Sequence, residues 1–157
     1  MRYLVLLLCL CFFKPLAAQS VKQEKMQNLS YLIGEWVGTS TTYKDGKVDQ
    51  QVPAFEKISY DLNQSILVIE LNSATLQLHT IIHYHEKDGT YYYYAFSQNG
   101  GGRLPASFVD GHLVVQASET RRYIFEATQD GGFREYGEKL IDGQWVKYFE
   151  DVFANTQ

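Results

Sequence analysis

The chain has 157 residues, 45% of them hydrophobic and 15% aromatic, with a formal net charge of −4. A net acidic chain is a poor partner for nucleic acid or an anionic membrane, and this length suits one domain around one core. Its two cysteines, Cys9 and Cys11, both lie near the N-terminus, so no disulfide framework extends through the rest of the chain.

Arg2 supplies a positive charge, and Tyr3 to Phe13 form an apolar run too short to span a bilayer. Lys14-Pro15 ends the run, and Leu16-Ala17-Ala18 offers small residues for cleavage before Gln19. This pattern predicts a secretory signal peptide over residues 1–18 and a single domain over 19–157, secreted or periplasmic and not inserted in the membrane after cleavage. Leu6-Leu7-Leu8-Cys9 imitates a lipoprotein site but sits inside the apolar run. Removal of the signal takes both cysteines, and loss of Arg2 and Lys14 brings the formal charge from −4 to −6. No sequence pattern fixes an oligomeric state.

Val21 to Ile33 carries the only helical signal, with Met26, Leu29 and Ile33 at helical spacing. Gly34-Glu35-Trp36-Val37-Gly38 follows. The glycines let backbone pass close to a bulky neighbour, and burial of Trp36 stabilises by roughly 4–6 kcal/mol as an upper estimate. Beyond it, Asp-Gly recurs at Asp45-Gly46, Asp88-Gly89, Asp110-Gly111, Asp130-Gly131 and Asp142-Gly143. Asp-Gly between alternating runs marks a β-hairpin. The runs between these turns are Trp36–Tyr43, Val52–Leu62, Ile66–Leu71, Thr75–His85, Thr90–Ser97, Arg103–Val109, His112–Ala117, Arg122–Ala127, Phe133–Leu140 and Trp145–Phe153. The expectation is an all-β, antiparallel up-and-down β-barrel of about 8–10 strands with a short N-terminal helix, with a β-sandwich as the alternative. Gly100-Gly101-Gly102 reads as a flexible connection at the barrel mouth, since no helix or Lys-Ser/Thr follows to make a phosphate loop.

Gly34, Glu35 and Trp36 after a short helix resemble the opening of the calycin superfamily, the lipocalins and fatty-acid-binding proteins. Leu32, Gly34, Trp36 and Gly38, with the aromatic-rich hairpin at Asp142-Gly143-Gln144-Trp145, look nearest to bacterial secreted lipocalin-like barrels known as domains of unknown function. The resemblance covers most of the chain after Leu29. It implies that Gly34, Trp36 and Gly38 plug the closed end of the barrel.

His79, His83 and His85 share one run and one parity, so they share one face. With a two-residue turn at Asp88-Gly89, His85 faces Tyr92, His83 faces Tyr94 and Ile81 faces Phe96. The expected ligand-binding patch is therefore His79, His83, His85, Tyr92, Tyr94 and Phe96. The opposite face, Leu76, Leu78, Thr80, Ile82 and Tyr84, is more apolar, so binary patterning alone turns the leucines inward. A ligand-binding lumen of the calycin kind reverses that, and both placements stand open at this point.

His83 and His85 lie within reach of one metal ion, while His79 is too far along the strand, and no third ligand is identifiable. No metal site and no cofactor are assigned on this basis. The haem-binding nitrobindins, related barrels, use a histidine near the C-terminus. This chain has none after His112, so a haem reading needs a strand histidine instead. Enzyme signatures are missing: there is no Gly-x-Ser-x-Gly, no His-Glu-x-x-His and no cysteine after the signal. Glu56, Glu70, Glu126, Glu135 and Glu150 form no recognisable acid/base pair, so no catalytic residue is assigned and the chain is read as a non-enzyme. In the last hairpin a two-residue turn sets Glu138 against Lys147 and Arg134 against Asp151, on one face with Tyr136, Leu140, Trp145 and Phe149.

The leading expectation is a barrel that binds a small, partly apolar or aromatic molecule in its lumen. The alternatives are a packed barrel engaged in protein–protein or envelope contacts, and a haem- or metal-binding barrel using strand histidines.

Overall fold

The structure is a computed structural model that describes residues 20–156. The signal-peptide reading lies outside the described residues. Among the described residues, no helix is long and apolar enough to cross a membrane.

The chain enters through α1 (Val21–Gln27). Ser20 and Gln23 close a capping box: the Ser20 hydroxyl accepts from the Gln23 N–H at 3.2 Å, and the Gln23 side chain accepts from the Ser20 N–H at 3.3 Å. A 3₁₀ turn, Ser30–Leu32, then leads into the first strand. The helical signal over residues 21–33 is thus two short pieces. Met26, Leu29 and Leu32 from this segment are fully buried against the sheet.

Ten strands follow: β1 (Gly34–Lys44), β2 (Lys47–Asp61), β3 (Ile66–Ser73), β4 (Gln77–His85), β5 (Thr90–Ser97), β6 (Gly100–Val109), β7 (His112–Ser118), β8 (Arg121–Ala127), β9 (Phe133–Ile141) and β10 (Gln144–Asn155). Each pairs antiparallel with its neighbour in sequence, and β1 pairs with β10 to close the barrel. Closure removes both sheet edges, which is how this architecture avoids unpaired strand backbone. The up-and-down barrel with one short N-terminal helix is as the turn pattern predicts.

The turns explain the regularity. Asp45-Gly46, Asp110-Gly111 and Asp142-Gly143 hold positive φ at both residues, the combination type I′ hairpins need. At Asp88-Gly89 only the glycine is positive. There the loop spans Glu86 to Gly89, and the pairing becomes His85 with Thr90, His83 with Tyr92, Ile81 with Tyr94 and His79 with Phe96. This is two residues off the two-residue-turn register. A slip of two preserves the face, so the same side chains remain together.

Two further expectations change. Gly100–Gly102 belongs to β6, where these residues pair with Ser97, Phe96 and Ala95, and so is strand and not a loose connection. The Phe96 ring lies over Gly101, where a Cβ would sit 2.5 Å from it. In β10 a bulge between Lys147 and Phe149 shifts the register. Glu138 still faces Lys147, but Arg134 faces Val152, Asp151 faces Glu135, and Phe149 turns to the face of Gly137.

The core begins at the helix end. Trp36 is 2% exposed, and its indole N–H donates to the Leu32 carbonyl at 2.8 Å. Its ring meets Phe133 edge-on at 4.9 Å, and Phe133 stacks on Phe153 at 4.8 Å. Tyr60, Tyr91 and Tyr31 tie the segment down by donating to the carbonyls of Met26, Lys25 and Phe125. Gly38 is where closure demands a glycine: a Cβ would lie 2.0 Å from the Val152 carbonyl oxygen and 2.8 Å from the Phe153 ring.

Candidate functional site

Alternation along the ladders sorts side chains into lumen and outer face. Ile58, Ile69, Thr80, Ile82, Tyr91 and Tyr93 are buried, and the register places each beside the next on one face. His79, Ile81, His83, His85, Tyr92, Tyr94 and Phe96 have the opposite parity and so line the outer wall. His112 is also outward, since its neighbour Leu113 is fully buried among the core residues. All four histidines, each among the described residues, therefore point away from the lumen. Of the two placements left open by the sequence, the structure has the His–Tyr patch facing outward, as binary patterning alone expects, and a haem held in the lumen by a strand histidine loses its ligand.

The outward patch is nonetheless a cluster. His83 stacks on Tyr94 with ring centroids 5.6 Å apart, its Nε2 lies 3.5 Å from the Tyr94 hydroxyl, and it lies 6.0 Å from Tyr92. His85 Nδ1 lies 3.0 Å from an Asp88 carboxylate oxygen, which also accepts from the Tyr92 hydroxyl at 2.7 Å. Arg103 covers the Tyr92 ring at 4.6 Å. The polar tips of His83, Tyr92 and Tyr94 and the Asp88 carboxylate lie against one another on the outer surface, so these groups form one surface cluster. Partial burial, with Lys22 and His85 nearby, pushes the His83 imidazole below its ordinary value. His79 and Phe96 pair further along the wall and are exposed.

Glu126, Arg134, Glu138, Lys147 and Glu150 of the last strands also line the outer wall. Glu126 bridges Arg134 and His112, Arg134 reaches Glu150 at 3.6 Å, and Tyr43 donates to Glu150 at 3.2 Å. Glu138 pairs with Arg122 at 2.7 Å, and Arg122 lies 4.2 Å over Trp145. Lys147 turns to Glu150. The network knits β7 to β10 and β1 together from outside.

The lumen itself holds a feature that composition hid. Glu56, Glu135 and Asp151 are 1%, 9% and 4% exposed. Each lies two residues from a core anchor of the same strand: Ile58, Phe133 and Phe153. Parity therefore turns all three inward. Glu135 and Asp151 are direct ladder partners, and Glu56 pairs with Trp36. One Glu56 oxygen, Oε2, and one Asp151 oxygen, Oδ1, have no hydrogen-bond partner. Burial, and then the Asp151 charge, pushes the Glu56 carboxyl up to about 8. Burial raises Glu135 well above the carboxylate range, with Glu56 and Asp151 adding to it. Asp151 rises to about 6 by burial, opposed by the Ser40 side chain and reinforced by Glu150. Tyr93 stands in the same layer, its hydroxyl 3.4 Å from Thr80 Oγ1.

Above this layer, away from the helix, the inward side chains are less buried. Leu78, Ala95, Leu104 and Tyr123 pack on the core yet remain partly exposed, as do Ser40 and Phe149. Gly137 makes room there: a Cβ would lie 2.2 Å from the Phe149 ring. Bulges in β2, β7 and β10 all fall toward this end, where barrel rims commonly carry them. At the rim, Lys139 Nζ lies 4.3 Å from the Tyr148 ring and the Arg121 guanidinium 5.9 Å. From the helix end outward, the inward side chains thus run from a buried aromatic base through an acidic layer to partly exposed apolar residues, with Lys139 and Arg121 at the rim.

Among the described residues, no group of three or more His, Cys, Asp or Glu side chains has the geometry to hold a metal ion. In comparisons with known proteins, no protein-family model matches the chain, and no curated protein matches it. The closed antiparallel barrel is compatible with a calycin-like fold.

Proposed function

We propose that the protein is an exported, lipocalin-like binder of a small, partly apolar molecule held in the barrel lumen. One observation carries this reading: the barrel is sealed by Trp36 and the helical segment at one end, while the inward Leu78, Ala95, Leu104 and Tyr123 are partly exposed toward the other. A lumen packed to its rim would bury them. The role is binding without catalysis.

Native mass spectrometry of protein purified from its source tests the reading. A retained small molecule at one per chain supports it. A bare chain that also fails to take up a neutral apolar dye opposes it. The same spectrum reports export, since a mature chain starting near Gln19 is expected and an intact residue 1–18 segment would contradict it.

A second reading, docking of another protein on the outer wall, draws on the outward Tyr92, Tyr94 and exposed Phe96. Alanine changes there would weaken a complex while leaving the lumen unaffected.

A further inference from the structure

We propose that the lumen binds a small organic mono-cation, its ammonium group seated on the carboxyls of Glu56, Glu135 and Asp151 and its apolar body against Tyr123 and Phe149. The inference rests on the lumenal-binding reading and adds the chemical class of the ligand.

Three carboxyl groups inside one barrel are costly for the empty protein, because each must either stay protonated or carry charge out of water. The fold supplies no internal cation for them. Among the described residues, the ion pairs join Arg122, Arg134, Lys147, Lys57, His85 and His112 to other carboxylates, all on the outer wall. Glu56 Oε2 and Asp151 Oδ1 are left with no partner. Glu56 is 1% exposed, so bulk water does not compensate it. An ammonium donates up to three hydrogen bonds and carries the charge that these oxygens lack.

The surroundings select the rest of the ligand. Leu71 stands beside Glu56, and Leu78, Leu104, Tyr123 and Phe149 follow toward the rim, a wall suited to an aliphatic or aromatic body. Lys139 and Arg121 stand at the rim beside Tyr148. A second positive charge at the far end of the ligand would meet them, so the site favours a monoamine over a long diamine. The titratable groups that face the carboxyls are Tyr93, Tyr123 and Tyr148, with Glu150 acting on Asp151 from outside. Tyrosine and glutamate side chains carry no positive charge, so none of these is a counter-charge.

Binding of a cation should drive the carboxyls to ionise. A proton leaves a carboxyl as the ammonium arrives, so association near neutral pH releases protons to the buffer.

Isothermal titration with phenethylamine, phenethyl alcohol and phenylacetate tests the proposal on the full mature chain, with Nile red as a neutral lumen probe. Phenethylamine should bind at least about tenfold more tightly than the alcohol, and phenylacetate more weakly than either. Buffers of differing ionisation heat should show proton release with the amine and none with the alcohol. Glu135→Gln and Glu56→Gln should bring the amine-to-alcohol ratio toward one while Nile red uptake persists. Where a variant fails to fold, the proton release of the wild-type protein still decides. Equal binding of amine and alcohol, or amine binding without proton release, overturns the cation site. So does an amine that does not bind while Nile red enters, which leaves the lumenal reading standing. If Nile red is also excluded, both fail.

Discussion

Glu135 and Asp151 lie directly across the β9–β10 ladder from each other, and both point into the barrel. Two like acids in facing positions of a dry interior suppress each other's ionisation. With Glu56, raised to about 8, they make the folded state bind more protons than the unfolded chain. The unfolded glutamate value is 4.5. The folded-state value is higher, so the stability these groups contribute is complete below that pH and is lost as pH rises through the folded value. Empty protein should therefore be less stable at about pH 8 than at about pH 5, by roughly 1–4 kcal/mol. Urea unfolding across that range checks it, and Glu56→Gln should flatten the slope. A curve that rises over the same window would show that these carboxyls are ionised in the fold.

Trp36 seals the helix end through its bond to Leu32 and its edge contact with Phe133. Trp36→Ala leaves a large void among rigid neighbours. The expected loss is about 3–5 kcal/mol in equilibrium urea unfolding. A loss below about 1 kcal/mol would mean that the plug is not a structural one.

Gly38 permits the β1–β10 contact that closes the barrel. A methyl there meets the Val152 carbonyl at 2.0 Å, which is backbone and cannot rotate away. Gly38→Ala should cost at least about 1–3 kcal/mol. Amide hydrogen exchange should show the loss of protection first at the β1–β10 seam. Uniform loss across all ten strands at the same total cost would place the damage elsewhere.

The outer His–Tyr cluster should matter little to the lumen. Its contacts are among half-exposed rings, so His83→Ala and Tyr94→Ala should each change stability by about 0.5–1.5 kcal/mol at most. Binding of Nile red or phenethylamine should be unchanged, and titration of each variant reads this directly. Loss of binding in either variant would return the site to the outer wall.

The barrel was legible because its turns are written in residues with one dominant use. Asp45-Gly46, Asp110-Gly111 and Asp142-Gly143 hold the backbone that their chemistry favours. Faces were harder. β4 carries threonine and isoleucine inward but isoleucine and histidine outward, so hydrophobicity separates its two sides weakly. The acidic layer stayed hidden because β2 turns Phe55 outward, 39% exposed, and Glu56 inward. The same-strand neighbours Ile58, Phe133 and Phe153 would have revealed it, since each fixes the parity of a carboxylate two residues away. The β10 bulge defeated parity counting from the turn, because one extra residue carries Phe149 to the lumen and separates Arg134 from Asp151.

The most direct test of lumenal binding is a two-dimensional NMR titration of the labelled protein with Nile red or phenethylamine. Resonances of Leu78, Ala95, Leu104 and Tyr123 should shift in a saturable way with one ligand per chain, while His83, Tyr92 and Tyr94 stay in place. Saturable shifts confined to His83, Tyr92 and Tyr94, or no shift at the lumenal residues at saturating ligand, would contradict it.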